Sequence, residues 1–422
     1  MIIGKLVSLF AQRLVATLAV LWVGVIATLG VLAAALPDST WVALKPLPHQ
    51  GHSAVFALAV DPSNNQAVIA GNSEGTLLRS ADGAVTWNPV HTGKAALTTI
   101  AFSPYKFNLV LAGTRGSGAL ASNDGGMRWT AATGLENRIV RAFAFSLTVI
   151  AAGTDHGVYL SQDGFSWLQS GLADRSVDAL GVAAIHTPVR FVAGSDTTVS
   201  GGSAPLFQST DGGATWSSQT PAISGTAIIR LVAGPLPPTS AIRPLIAGTN
   251  AGLFESTDNE ASFIPLSGGN LLPSTDYTQV AFVTDHFDHF YVGSDGGGSG
   301  SGGLWRTNDS GVSFTTLAPP MPSVTALAVS NDELPVLYVA TFRPSDHVAA
   351  LWAIHDTGGA PQGPVVSPSP VVSGTRTATP SGSAPGLFVL LQSSQAPYVA
   401  IGIAALLVIG LAVVAHFRGR RR

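Results

Sequence analysis

Seven times between residues 55 and 354 the chain repeats one pattern of apolar and polar positions. An apolar run opens each copy, at residues 55–60, 97–102, 140–145, 177–182, 228–232, 279–283 and 324–329. Apolar side chains on both faces of so short a run predict a strand covered from each side. A second run ends in a small pair, as in Ala70-Gly71, Ala112-Gly113, Ala152-Gly153, Ala193-Gly194, Ala247-Gly248, Val292-Gly293 and Val339-Ala340. Small residues there let a neighbouring layer approach closely. A third run leads into a turn containing Asp, and a fourth starts at the aromatic residue after that turn. Each copy therefore predicts four short strands.

The turn reads Ser-x-Asp-Gly-Gly-x-x-Trp or a close relative of it. Its aspartates are Asp82, Asp124, Asp163, Asp211, Asp258 and Asp309, and its aromatics are Trp87, Trp129, Trp167, Trp216, Phe263 and Phe314. Successive aspartates lie 42, 39, 48, 47 and 51 residues apart, the length of one four-stranded propeller blade. Such a unit cannot bury its own faces, so the copies stack, and stacking around an axis closes a ring. The aspartate accepts N–H bonds within its own turn, glycine supplies the positive φ, and the aromatic packs beneath. The six aspartates are thus structural, and no catalytic residue is assigned.

The seventh copy reaches His355-Asp356-Thr357-Gly358-Gly359 with no aromatic behind it. At the other end of the chain, Ser39-Thr40-Trp41-Val42-Ala43-Leu44 reads as a fourth strand lacking its first three. The N-terminal segment is therefore predicted to supply the outer strand of the last blade, which removes the open edge of a linear array. The fold class is all-β: a seven-bladed β-propeller of four-stranded blades over residues 38–356, with a transmembrane helix at each end of the chain.

Those helices come from two uncharged runs, residues 14–36 and 398–417, each near the ~20 residues that cross a bilayer core. Residues 1–37 form an anchor or a signal peptide, with Ala33-Ala34-Ala35 as a cleavage site; the length of the run favours a retained anchor. Residues 357–397, with seven prolines, read as an extended stalk, and residues 418–422 as a basic cytoplasmic tail. Lys5 and Arg13 before the first run, and four arginines after the second, place both termini in the cytoplasm. The expected location is the cell membrane, with the propeller on the extracytoplasmic side. All 24 acidic residues lie between the runs against 15 of the 21 basic ones, so the middle is nine charges negative. That balance excludes a nucleic-acid partner. The absence of cysteine removes disulfides and thiolate metal sites.

On its six turns, the chain resembles the Asp-box (BNR-repeat) propellers, which include sialidases, xyloglucanase-type glycosidases, the sortilin ectodomain and the photosystem II assembly-factor propeller. Seven blades in one ring, with turns ending Gly-Gly-x-x-Trp, are most similar to the assembly-factor group. The ring, the stalk and the lack of catalytic motifs point to a membrane-anchored, extracytoplasmic protein- or glycan-binding or assembly module; the alternative that the resemblance implies at the level of fold is a surface exo-glycosidase. Against the alternative, the sialidase Arg-Ile-Pro motif is missing, the nearest string being Arg138-Ile139-Val140. Nor does any motif fix two carboxylates at the separation that glycoside hydrolysis needs.

Candidate binding residues gather on the face opposite the Asp turns, in the loops from second to third strand and from one blade to the next. They are Arg115, Glu136, Arg138, Asp155, His156, Asp174 and Arg175. Arginines alternating with carboxylates suit recognition of a partner's charged or amide groups. Asp285-His286-Phe287-Asp288-His289 is the most metal-like string, but its place at a hairpin tip on the Asp-turn face reads as a polar turn. No metal and no cofactor is expected, and no phosphate loop or nucleophile elbow is present.

Overall fold

A computed structural model describes residues 36–47, 53–186, 188–197, 203–220, 223–297, 301–359 and 362–365. Within them the repeat becomes seven sheets, six of them with four strands in chain order and antiparallel to their neighbours. Blades 1 to 6 occupy residues 55–92, 97–131, 140–171, 179–219, 228–266 and 279–316. Blade 7 takes its first three strands from Val324–Val329, Val336–Arg343 and Val348–His355. The two long apolar runs, apart from Leu36, and the unit Pro368–Arg422 fall outside the described residues. Among the described residues no helix is long and apolar enough to cross a membrane.

Burial follows from stacking. Each of the seven hydrophobic clusters fills one gap between adjacent blades, from blades 1 and 2 around to blades 7 and 1. Second strands such as Ile150–Thr154 and Leu245–Thr249 are buried along their whole length, as expected for a sheet covered on both faces. The small pairs are dictated by contact. A Cβ on Gly113 would stand 2.6 Å from the carbonyl oxygen of Val140 in blade 3, and one on Gly248 only 2.2 Å from that of Tyr277 before blade 6.

The first strands carry a feature that the apolar pattern does not announce. Five of them, in blades 1, 2, 3, 5 and 7, shift register at their second residue: Phe56, Thr98, Arg141, Ile229 and Thr325. A bulge of this kind re-aims the side chains beside it. Three of the shifted residues reach the next blade: Thr98 donates to the Val140 carbonyl, Thr325 donates to Val55 at 2.7 Å, and Arg141 Nε lies 2.9 Å from Asp178.

The six turns share one hydrogen-bond pattern. In the first, the Ser80 hydroxyl donates to Asp82 at 2.7 Å and accepts the Ala84 N–H at 2.8 Å, while Asp82 accepts the Thr86 N–H at 2.9 Å. The others repeat it around Asp124, Asp163, Asp211, Asp258 and Asp309. The Thr215 hydroxyl, then the Thr215 N–H and the Ser209 hydroxyl, hold Asp211 down to about 2. Ser262 and Ser313 act in the same way on Asp258 and Asp309. Around Asp82, Asp124 and Asp163 burial pushes upward and the hydrogen bonds outweigh it.

The ring closes as the pattern predicts. Strand Thr40–Ala43 pairs antiparallel with Val348–His355, Val42 opposite Ala353 and Ala43 opposite Trp352. Trp41, 1% exposed, fills the gap between blades 6 and 7 with Tyr291, Leu304, Leu317 and Val324. The indoles of Trp129, Trp167 and Trp216 bond to a carbonyl in their own turn, whereas Trp41 donates to Leu317 of blade 6 at 2.8 Å. The residual seventh turn binds the same blade. Asp356 is buried against Arg306, accepts the Tyr291 hydroxyl at 2.9 Å, and turns Gly358 so that its carbonyl meets Arg306 Nη2 at 2.9 Å. Asp38 and His355 pair at 2.8 Å, and Ser39 and Thr357 hydroxyls at 2.9 Å. A fifth strand, Gln362–Val365, then lies parallel to Thr40–Ala43. The proline-rich composition after residue 357 does not signal it, because a proline-bearing strand is tolerated at an edge.

Trp41→Ala is expected to cost about 3–5 kcal/mol, and Asp356→Ala a similar ~3–5 kcal/mol because Arg306 stays buried without its partner. Asp82→Ala should cost about 1–3 kcal/mol. Denaturant melts measure all three, and a Trp41→Ala protein that melts like the wild type would disprove the closing role. The turn aspartates also set an acid limit. With folded values below the ~3.9 of an unfolded Asp, their contribution is complete above that pH and drains away as pH falls toward the 2 of Asp211. The melting temperature should therefore drop between pH 4 and 2, and less steeply in Asp211→Asn.

Candidate functional site

The face away from the Asp turns is built from hairpins with a recurrent lock. Thr114, Thr154 and Thr249 end second strands, and each donates its hydroxyl across the turn, to Gly118, Gly157 and Gly252 at 2.8, 2.9 and 2.9 Å. The lock holds each hairpin tip rigid while leaving the tip residues free to face outward.

On blades 2 to 4 the tips and the inter-blade connections join into one strip. Arg115 bridges to Ile139, and the Gly118 N–H donates to the Arg138 carbonyl at 3.0 Å. Ile139 N–H donates to the Asp155 carboxylate at 2.9 Å, and Asp155 N–H returns to the Ile139 carbonyl at 3.1 Å. Gly157 N–H then reaches the Arg175 carbonyl at 2.8 Å. Main-chain bonds thus set all seven sequence candidates side by side.

Their side chains divide by role. Glu136 is spent on its own turn, accepting the Gly134 N–H at 3.0 Å. Asp155 orients the backbone of Ile139 and holds His156 Nδ1 at 3.1 Å. Asp174 and Arg175 are exposed and lie 3.9 Å apart, a weak pair at a wet surface. The Arg175 guanidinium stands 5.6 Å above the Phe207 ring, over the third strand of blade 4 and away from the axis. Arg115 is exposed and Arg138 half-buried, and neither guanidinium has a hydrogen-bond or ion-pair partner among the described residues. Two open arginine forks beside a carboxylate-rich rim can take up carboxylate or backbone carbonyl groups of a partner.

Elsewhere on this face several polar groups are satisfied or paired. Arg343 and Asp346 form a two-pronged pair at 2.8 and 2.7 Å. The Asn250 side-chain oxygen accepts the N–H groups of Thr226 and Ala227. Blade 6 holds a feature that the sequence does not reveal: the Asp295 carboxyl is hydrogen-bonded to Asp276, and burial together with that neighbour pushes Asp295 up to about 6. Asp276 also accepts the Ser294 hydroxyl at 3.1 Å, and Asp295 the Gly297 N–H at 3.0 Å. Nineteen residues separate the two aspartates in the chain, and only the hairpin between them brings them together.

On the opposite face, His289 of the metal-like string turns inward to the Tyr291 hydroxyl at 3.1 Å, behind Asp356. Burial lowers its affinity for protons. Among the described residues no three His, Asp or Glu side chains converge on a point where a metal ion would sit.

No family model matches the chain, and no curated protein matches it. Solved structures do. A YCF48 with a bound D1 peptide superposes with a TM-score of 0.52 at 15% identity, covering 76% of this chain and 96% of that one. U3-55K gives 0.56 at 13% identity, covering 76% and 99%. What they share with this chain is the fold. An ancestral GH74 enzyme reaches 0.46 at 16% identity, over 77% of this chain and 57% of its own, a likeness too low to carry an argument.

The Asp276–Asp295 pair predicts a second pH effect, opposite in sign to that of the turn aspartates. An acid raised to about 6 in the folded state binds its proton more tightly there than in the unfolded chain. Its contribution is complete below ~3.9 and lost as pH rises through 6. Asp276→Asn should flatten the fall in melting temperature between pH 4 and 7 relative to wild type. Parallel curves for the two proteins would rule out proton sharing.

Proposed function

We propose that this chain is a membrane-anchored, extracytoplasmic propeller that holds a protein partner on the face opposite its Asp turns and acts as a binding or assembly module. The observation that carries the reading is the strip on blades 2 to 4, where Arg115 and Arg138 stand open beside Asp155, His156 and Asp174 on a locked framework. The likeness to a YCF48 with a D1 peptide bound supports a protein as the occupant of such a ring, at the level of fold. The shared hydrogen bonding of the six turns supports membership of the Asp-box superfamily. Membrane anchoring is supported by the two apolar runs and their flanking charges. Leu36, the last residue of the first run, packs against the core between blades 7 and 1, so a retained anchor would hold the ring close to the bilayer.

A glycosidase needs two carboxyls about 5 Å or more apart across the sugar. Among the described residues, the Asp276 and Asp295 carboxyls of this face are in direct hydrogen-bond contact. That spacing is wrong for either stereochemical route.

Cross-linking of membrane neighbours to the wild-type chain and to an Arg115→Glu/Arg138→Glu variant tests the reading. The variant should lose a specific neighbour while keeping its melting temperature, because both side chains are unpartnered. A neighbour set that is unchanged would defeat it, as would turnover of fluorogenic glycosides that a carboxylate substitution on this face abolishes.

A further inference from the structure

The ring axis encloses a cavity of about 360 Å³ on the side of blades 2 to 5. Its wall is formed by residues 99–102, 142–145, 178–182 and 229–233 of the first strands, with Tyr105 and Arg243 toward the Asp-turn end. Much of that wall is apolar, including Ile100, Phe143, Leu180 and Leu231. Arg230 interrupts it.

Its place in the register shows how unusual that is. Arg230 directly follows the bulged residue of its strand. In blades 1, 2, 3 and 7 the equivalent residues are Ala57, Thr99, Ala142 and Ala326, all small. Blade 5 alone among these puts a guanidinium there. The Nε of Arg230 is sealed from solvent and has no hydrogen-bond acceptor. No carboxylate pairs with it among the described residues, and burial pulls its pKa down. Asp178, the carboxylate in the same wall, is already engaged, by Arg141 Nε at 2.9 Å and the Ser176 hydroxyl at 2.8 Å. Arg243 also makes no hydrogen bond or ion pair among the described residues, so the cavity holds two open cations and one neutralised anion. Water can fill such a space. It leaves the half-buried guanidinium without a counter-charge, and a partly desolvated, unpaired charge is unfavourable.

We propose that the axial cavity is a binding site for a small organic dicarboxylate, with the Arg230 fork gripping one carboxylate and Arg243 meeting the other. A planar fork matches a carboxylate through two parallel hydrogen bonds, and apolar walls suit a short carbon skeleton between two polar ends. The volume is that of a small-ligand pocket. Arg230 lies three residues before Ala233, which pairs with Leu245 just beyond Arg243. Arg243 lies two positions further on, so the two backbones are roughly 16 Å apart along the axis, a span that two extended arginine side chains and a four-carbon diacid between them can bridge. The site is separate from the strip on the outer face, and neither depends on the other.

Calorimetric titration and thermal melts of the purified full-length chain test it, with succinate as the probe and acetate as the single-carboxylate control. Succinate should raise the melting temperature and bind more tightly than acetate. Arg230→Met should weaken succinate by at least about tenfold, as expected for loss of charge-assisted bonds, and should melt no lower than wild type without ligand, since it removes an unpaired charge. Arg243→Met should bring succinate down to the level of acetate. No melting shift with succinate up to about 10 mM would overturn the proposal, as would an equal shift in Arg230→Met. If Arg230→Met fails to fold, the Arg243→Met protein decides: an undiminished preference for succinate over acetate refutes the two-arginine site.

Discussion

Everything in this fold depends on covering two flat apolar faces on each blade. A sheet such as that of blade 3, whose second strand Ile150–Thr154 is buried throughout, is unstable with either face exposed. Seven such sheets satisfy one another only if the seventh meets the first. The closing strand Thr40–Ala43 meets that condition by tying the start of the chain to its last blade. Trp41 contributes to the closure directly, since it fills the gap between blades 6 and 7 and bonds to Leu317 across that gap. The buried Arg306–Asp356 pair stands where a complete seventh turn would have been, and it ties the same two blades.

Closure also decides where chemistry can occur. With both faces of every blade occupied, only the loops at the two ends of the ring and the axis itself remain open. At one end the loops are consumed by the six Asp turns, whose aspartates spend their lone pairs on their own backbone. A carboxylate held in this way has neither the free geometry nor the raised pKa of a general acid. At the other end the threonine-locked hairpins leave side chains such as Arg115 and Arg138 unengaged. The axis is set by the bulges, which determine what the first strands present to one another and to the cavity.

Two sets of carboxyl groups give the propeller opposed responses to pH. The turn aspartates favour the folded state above their depressed values, whereas Asp295, raised by burial and by Asp276, favours it at lower pH. The first set is distributed around the ring and belongs to its framework. The second is local to one hairpin of blade 6, on the same face as the arginine strip, where a change of charge alters the surface without touching the core.

The fold was legible in the sequence because it is written in local signals that repeat. Seven apolar runs, six Asp turns and a stray Thr40-Trp41-Val42 were enough to count the blades and to place the closing strand, since each signal works within a few residues of itself. The seven candidate binding residues were also legible as loop residues on one face. That they form one strip across blades 2 to 4 was settled by inter-loop hydrogen bonds and by Phe207, over which Arg175 stands. The fifth strand of blade 7, the Asp276–Asp295 contact, the Arg306–Asp356 pair and the unpaired Arg230 left no mark in the pattern. Each depends on groups far apart in the chain or on a one-residue change of register, and a shift of one residue in a strand turns a side chain to the other face. Local repetition determined the ring, and only the closed ring decided which charges are paired and which are left open.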